Sequence, residues 1–185
     1  DDLERVLREV KRLVEENEKK VRRIVEESRE LVERNKELLR RVVEEVRRLV
    51  KEVRDILRNV RGDDELERVL RRVEEEIRRL LTDLRRSNKR VAEELKRLNE
   101  ELERSNREVE RRIRELEERL REKVRDEDKL REVRERIKRL LDRSHEAVRR
   151  ASEKSKRSLE ESHRAVREVE KRLKELLEDV REDVR

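Results

Sequence analysis

Apolar side chains recur along this chain at a fixed step, from Leu66 to Leu84, Leu102 and Leu120. The same step links Val73, Val91 and Val109; Leu80, Leu98 and Leu116; Val6, Ile24, Val42 and Val60; and Leu141, Leu159 and Leu177. At about 3.6 residues per turn, the eighteen positions of each step make about five turns, so each series returns to one side of a helix. A strict seven-residue repeat would wind helices into a left-handed supercoil, whereas this period matches a straight one. Long, nearly straight helices are therefore predicted. Around the first of them, Leu3, Val6, Leu7, Val10, Leu13, Val14 and Asn17 cover an arc of about 120°, wide enough to face two neighbours. The remaining arc is almost wholly Glu, Lys and Arg.

Sheet folds need frequent turns, and 185 residues with one Gly and no Pro cannot supply them. Charged residues make up 59% of the chain, against about 25% in an ordinary domain. Such a fraction can signal disorder, but the two signs nearly cancel to +6 and the apolar 31% is periodic, which argues for packed helices.

Breaks in the pattern divide the chain in three. Arg61-Gly62-Asp63-Asp64 ends the first helix, with Gly62 suited to the left-handed position beyond a helix C-terminus and Asp64 with Glu67 suited to a capping box. Arg125-Asp126-Glu127-Asp128 gathers acids just ahead of Leu130, as at a helix start. Helices are predicted at about 2–61, 64–125 and 128–184, each about 60 residues. Short connections force neighbours to run in opposite directions, so the fold class is all-α: an antiparallel, up-down-up three-helix bundle forming a single domain over 1–185. With no second apolar face, the chain reads as a monomer without partners.

Uncharged polar residues fall inside the apolar stripe with the same step. It relates Asn17 to Asn35, Ser87-Asn88 to Ser105-Asn106, and Ser144-His145 to Ser162-His163. Folding the chain up-down-up brings Asn17, Ser105, Asn106, Ser144 and His145 to one level, and Asn35, Ser87, Asn88, Ser162 and His163 to another. Ser28, Asn99, Ser152 and Ser155 form a third, mixed layer between them. A buried amide or hydroxyl without a partner costs about 1–3 kcal/mol, so such residues are tolerable only as connected networks. A slipped or misordered bundle would bury them against Leu and Val, which makes them determinants of register and topology.

The same residues argue against chemistry. His145 and His163 are about 27 Å apart on one helix and cannot share a metal ion, and no second His or any Cys is spaced to complete a zinc site. Adjacent Ser and His on a helix point about 100° apart, with no acid to orient the ring and no oxyanion hole, so no catalytic residue is expected. No cofactor motif is present. Nucleic acid is an unsuitable partner because acids and bases alternate throughout and no aromatic side chain is available to stack on bases. A membrane is unsuitable because no apolar run approaches the roughly 18 residues that a span requires, and the polar face is mixed in sign.

On the eighteen-residue repeat, the aliphatic core, the duplicated Asn/Ser-Asn/Ser-His sets, the Glu/Lys/Arg surface and the Asp-rich helix starts, the chain resembles de novo designed, parametric helical bundles with buried hydrogen-bond networks. That resemblance implies a structural scaffold without a natural biochemical function. Two alternatives stand beside it. Buried neutral imidazoles at His145 and His163 would make a pH-responsive bundle that loses stability on acidification. A natural spectrin-like structural coiled coil would share the helix count, although such proteins carry aromatics and less regular polar placement.

Overall fold

The computed structural model describes residues 2–59 and 62–184. They form three helices, α1 (Asp2–Asn59), α2 (Asp63–Lys123) and α3 (Glu127–Val184), and no strand occurs among the described residues. Good helix formers dominate every turn, and pairs such as Glu4 with Arg8 and Glu146 with Arg150 sit four residues apart with the acid leading, the favourable order on a helix. Val60 and the expected extension of the first helix to residue 61 lie outside the described residues.

Both turns differ in detail from expectation. At the first, the carbonyl of Gly62 accepts the N–H of Leu66 at 3.2 Å, so Gly62 itself occupies the cap position and Asp63 and Asp64 fall inside the first turn of α2. The expected Asp64 cap is thereby displaced. Gly62 does not adopt positive φ either, so its conformational freedom is not what closes this turn. At the second, α2 stops at Lys123 and α3 begins at Glu127, slightly earlier than the acidic cluster suggested. Asp126 is the cap. Its Oδ1 accepts the N–H groups of Asp128 at 3.2 Å and Lys129 at 3.5 Å, and its carbonyl accepts the N–H of Leu130 at 3.1 Å.

The chain divides into two compact units, each containing a stretch of all three helices. The first comprises 2–29 and 94–157, the second 30–93 and 158–184. In the first unit Val10, Val14, Ile113 and Ile137 are almost fully buried, surrounded by Leu3, Leu13, Leu116, Leu120 and Val133. In the second, Val46, Leu84, Leu173 and Val180 are buried among Leu39, Val50, Val73 and Ile77. Each fully buried aliphatic side chain contributes about 1.5–3 kcal/mol relative to exposure.

Side-chain pairs fix the helix directions unit by unit. In the first, as α1 advances from Asn17 to Arg23, its partner on α2 retreats from Ser105 to Glu101. In the second, as α2 retreats from Asn88 through Arg85 to Glu74, its partner on α3 advances from His163 through Glu170 to Arg181. The order is up-down-up.

Candidate functional site

The stripe positions that carry polar residues lie in the middle of the bundle cross-section, so their side chains have only one another to bond. Asn17, Asn35, Ser144 and Ser162 are each at most 4% exposed. In the second unit they assemble into a chain of hydrogen bonds that runs in one direction. Ser87 Oγ donates to Asn35 Oδ1 at 3.4 Å, and Asn35 Nδ2 donates to Ser162 Oγ at 2.6 Å. Ser162 Oγ then donates to Asn88 Oδ1 at 3.1 Å, and Asn88 Nδ2 reaches His163 Nδ1 at 2.9 Å. An amide nitrogen only donates, so His163 Nδ1 accepts and its proton resides on Nε2. One path therefore joins α2, α1 and α3 and closes back on α2 and α3.

The first unit repeats only the beginning of this path. Ser105 Oγ donates to Asn17 Oδ1 at 2.7 Å, and Asn17 Nδ2 donates to Ser144 Oγ at 2.9 Å. There the copy departs. His145 turns its Nε2 to Glu110 Oε1 on α2, and Asn106 makes no side-chain hydrogen bond to another described residue. The cause is one position in the repeat: the counterpart of Glu110, one step earlier, is Ala92, which offers His163 nothing, so that ring takes the neighbouring amide instead. The expected absence of an acid beside either ring is thus corrected at His145.

The mixed layer of Ser28, Asn99, Ser152 and Ser155 is not joined into a network. Ser28 Oγ donates to the carbonyl of Ile24 at 2.8 Å, one turn back on its own helix. Asn99 Oδ1 is buried without a partner among the described residues, and Ser152 and Ser155 are half-buried without a side-chain bond to another described residue. Among these four, α1 supplies only Ser28, whose hydroxyl is already satisfied, so no amide bridges the helices as Asn17 and Asn35 do.

A set of interhelical ion pairs flanks the polar chains and has no counterpart in the sequence expectations. Arg143 binds Glu18 at 2.7 Å, Arg85 binds Glu170 at 2.9 Å, and Arg181 binds Glu74 at 2.9 Å. The signal was available: Glu18, Glu74, Glu110 and Glu170 each directly follow a buried stripe residue, namely Asn17, Val73, Val109 and Val169. That places them at the rim, and their side chains are between 13% and 25% exposed. The hydrogen bond that Arg143 donates to Glu18, and then the charge of Glu18, raise the Arg143 guanidinium above its ordinary value; Glu170 does the same for Arg85. On the surface, the hydrogen bond from Arg149 holds Glu146 below the usual carboxylate range.

Chemically, these groups are occupied by one another. The Ser144 hydroxyl is taken by Asn17 and the His145 ring by Glu110, so the adjacent pair shares no bond. Ser162 and His163 communicate only through Asn88. Among the described residues no three His, Cys, Asp or Glu side chains are grouped to hold a metal ion, and no helix is long and apolar enough to cross a membrane. An acid switch requires buried imidazoles; His145 is exposed and His163 only half-buried.

Fold and site together define a three-helix bundle with buried Asn/Ser hydrogen bonds. The chain is similar in structure to a solved protein described as a computationally designed three helix bundle, with 16% identity over 97% of this chain and 93% of that one and a TM-score of 0.69. No family model and no curated protein matches the chain.

Proposed function

We propose that this chain is a designed, monomeric structural scaffold without catalytic activity, in which the two buried polar chains select one register and one helix order. The observation that carries this reading is the recurrence of Ser-Asn-Ser bonding, from Ser105-Asn17-Ser144 to Ser87-Asn35-Ser162, at one repeat step on all three helices. A buried hydrogen bond adds only about 0.5–1.5 kcal/mol net, whereas an orphaned partner costs about 1–3 kcal/mol. Such residues therefore do little for stability and much against misalignment. The similarity to a designed three-helix bundle supports the same reading, as do the aliphatic core and the alternating charges outside it.

Size-exclusion chromatography with light scattering tests the assembly state. A monomer of 23.0 kDa is expected across micromolar concentrations. A defined dimer or trimer would overturn the scaffold as stated.

A further inference from the structure

The repeat builds the side of the bundle between α1 and α3 twice, with a different charge balance. In the second unit a groove of about 280 Å³ is lined by Val43, Val46, Leu173 and Leu176, with Arg47 and Arg172 balanced by Glu175 and Asp179. In the first unit a groove of about 320 Å³ is lined by Leu7, Leu140, Lys11, Arg136 and Arg139. Residue by residue, Leu7 corresponds to Val43, Lys11 to Arg47, Arg136 to Arg172 and Leu140 to Leu176, each two repeats apart. Arg139 corresponds to Glu175. The first groove is therefore all-cationic around an aliphatic floor, and the second is neutral.

Lys11, Arg136 and Arg139 make no ion pair or side-chain hydrogen bond with another described residue, so their donors are open to a ligand. Leu7 and Leu140 remain half-exposed between them. Small-molecule sites combine an apolar surface with a few placed polar groups, and this groove is a shallow, open form of that pairing.

We infer that the α1/α3 groove of the first unit binds a single-chain alkyl carboxylate, with the tail along Leu7 and Leu140 and the headgroup among Lys11, Arg136 and Arg139. Guanidinium groups suit a carboxylate because their paired N–H donors match its two oxygens. The neutral second groove, with Glu175 in place of Arg139, offers the same headgroup no net attraction. This goes beyond the scaffold reading and does not depend on it.

The test is a titration of the full chain with laurate below its micelle concentration, followed by methyl NMR. Saturable shifts at Leu7 and Leu140, with Val43 and Leu176 unmoved, are expected. Dodecyltrimethylammonium, with the same tail and opposite charge, is expected to leave Leu7 and Leu140 unmoved. Arg139→Glu is expected to weaken laurate by about tenfold, since an exposed attraction becomes a repulsion. Shortening the tail is expected to weaken binding by up to about fourfold per methylene. The double change Glu175→Arg with Asp179→Arg is expected to make Val43 and Leu176 respond. Equal shifts in both grooves, equal binding of the cationic amphiphile, absence of a saturable response, or adsorption to phosphatidylglycerol vesicles without any response to monomeric laurate would each overturn the proposal.

Discussion

Glu110 on α2 holds the Nε2 edge of His145 on α3, and that pair is what separates the two otherwise repeated polar centres. Its effect reaches Asn106, which keeps no side-chain partner among the described residues while its repeat-mate Asn88 bonds both Ser162 and His163. Glu110→Ala gives the first unit the residue that Ala92 supplies at the corresponding place in the second. The expected outcome is that His145 turns to Asn106 and accepts its amide N–H at Nδ1, while Nε2 keeps the proton it donates to Glu110 in the parent. The Asn106 side-chain amide signal reports the new bond by its shift and slowed exchange, and an unchanged amide signal would show that the repeat does not govern the choice.

Asn35 is the residue through which the second polar chain crosses from α2 to α3. Asn35→Ala leaves the Ser87 hydroxyl without its acceptor and the Ser162 oxygen without its donor, with an expected loss of about 1–3 kcal/mol in chemical denaturation. The combination Asn35→Leu with Ser87→Ala removes the Ser87 orphan while Ser162 still donates to Asn88, and is expected to recover most of that loss. A double variant less stable than the single one would mean the polar chain is itself a large stabilising element.

Asn99 marks the opposite case, a buried Oδ1 that bonds no described residue. Asn99→Leu is expected to raise stability by about 1 kcal/mol, because it removes an unsatisfied acceptor and extends the apolar contact beside Leu98. Asn17→Leu, which orphans Ser105 and Ser144, is expected to shift the denaturant midpoint the other way.

The two turns answer differently to alanine. Gly62 has ordinary φ and open space where a Cβ would stand, so Gly62→Ala gains about 0.4–1 kcal/mol through the unfolded chain and loses a similar amount because alanine is a poor N-cap, leaving stability nearly unchanged. Asp126 caps α3 with its side chain, so Asp126→Ala is expected to cost about 0.5–2 kcal/mol. Thermal melts should place the first variant beside the parent and the second below it.

The membership of each polar level was legible because one repeat step, five helical turns, returns a side chain to the same side of a helix, and opposite helix directions then bring Asn17, Ser105 and Ser144 together. Which partner a side chain takes was not legible. Asn106 and Glu110 lie one turn apart on α2, on the same face toward His145, and periodicity does not rank an amide against a carboxylate. Ser28 illustrates a second limit, since a hydroxyl on the stripe can bond the carbonyl four residues back and drop out of any network. At the first turn, three consecutive acids after Gly62 all resemble caps, and only the backbone shows that Gly62 takes that position. The rim glutamates do not stand out in the sequence because, in a chain with 59% charge, one more acid carries no compositional signal.

On the proposed reading, the buried polar chains choose the register rather than supply the stability. Spin labels at Arg12→Cys on α1 and Lys154→Cys on α3, both exposed and both in the first unit, are offset by about 22 Å along the helix axis, so a slip changes their distance almost in full. They are compared in the parent and in a variant carrying Asn17→Leu, Asn35→Leu and alanine at Ser87, Asn88, Ser105, Ser144 and Ser162. A slip of one turn displaces a helix by about 5.4 Å, well within what electron-electron double resonance separates. The parent is expected to give one narrow distribution. The apolar variant is expected to be as stable or more so while its distribution broadens or splits. One narrow distribution at the parent's distance in the apolar variant would contradict the claim.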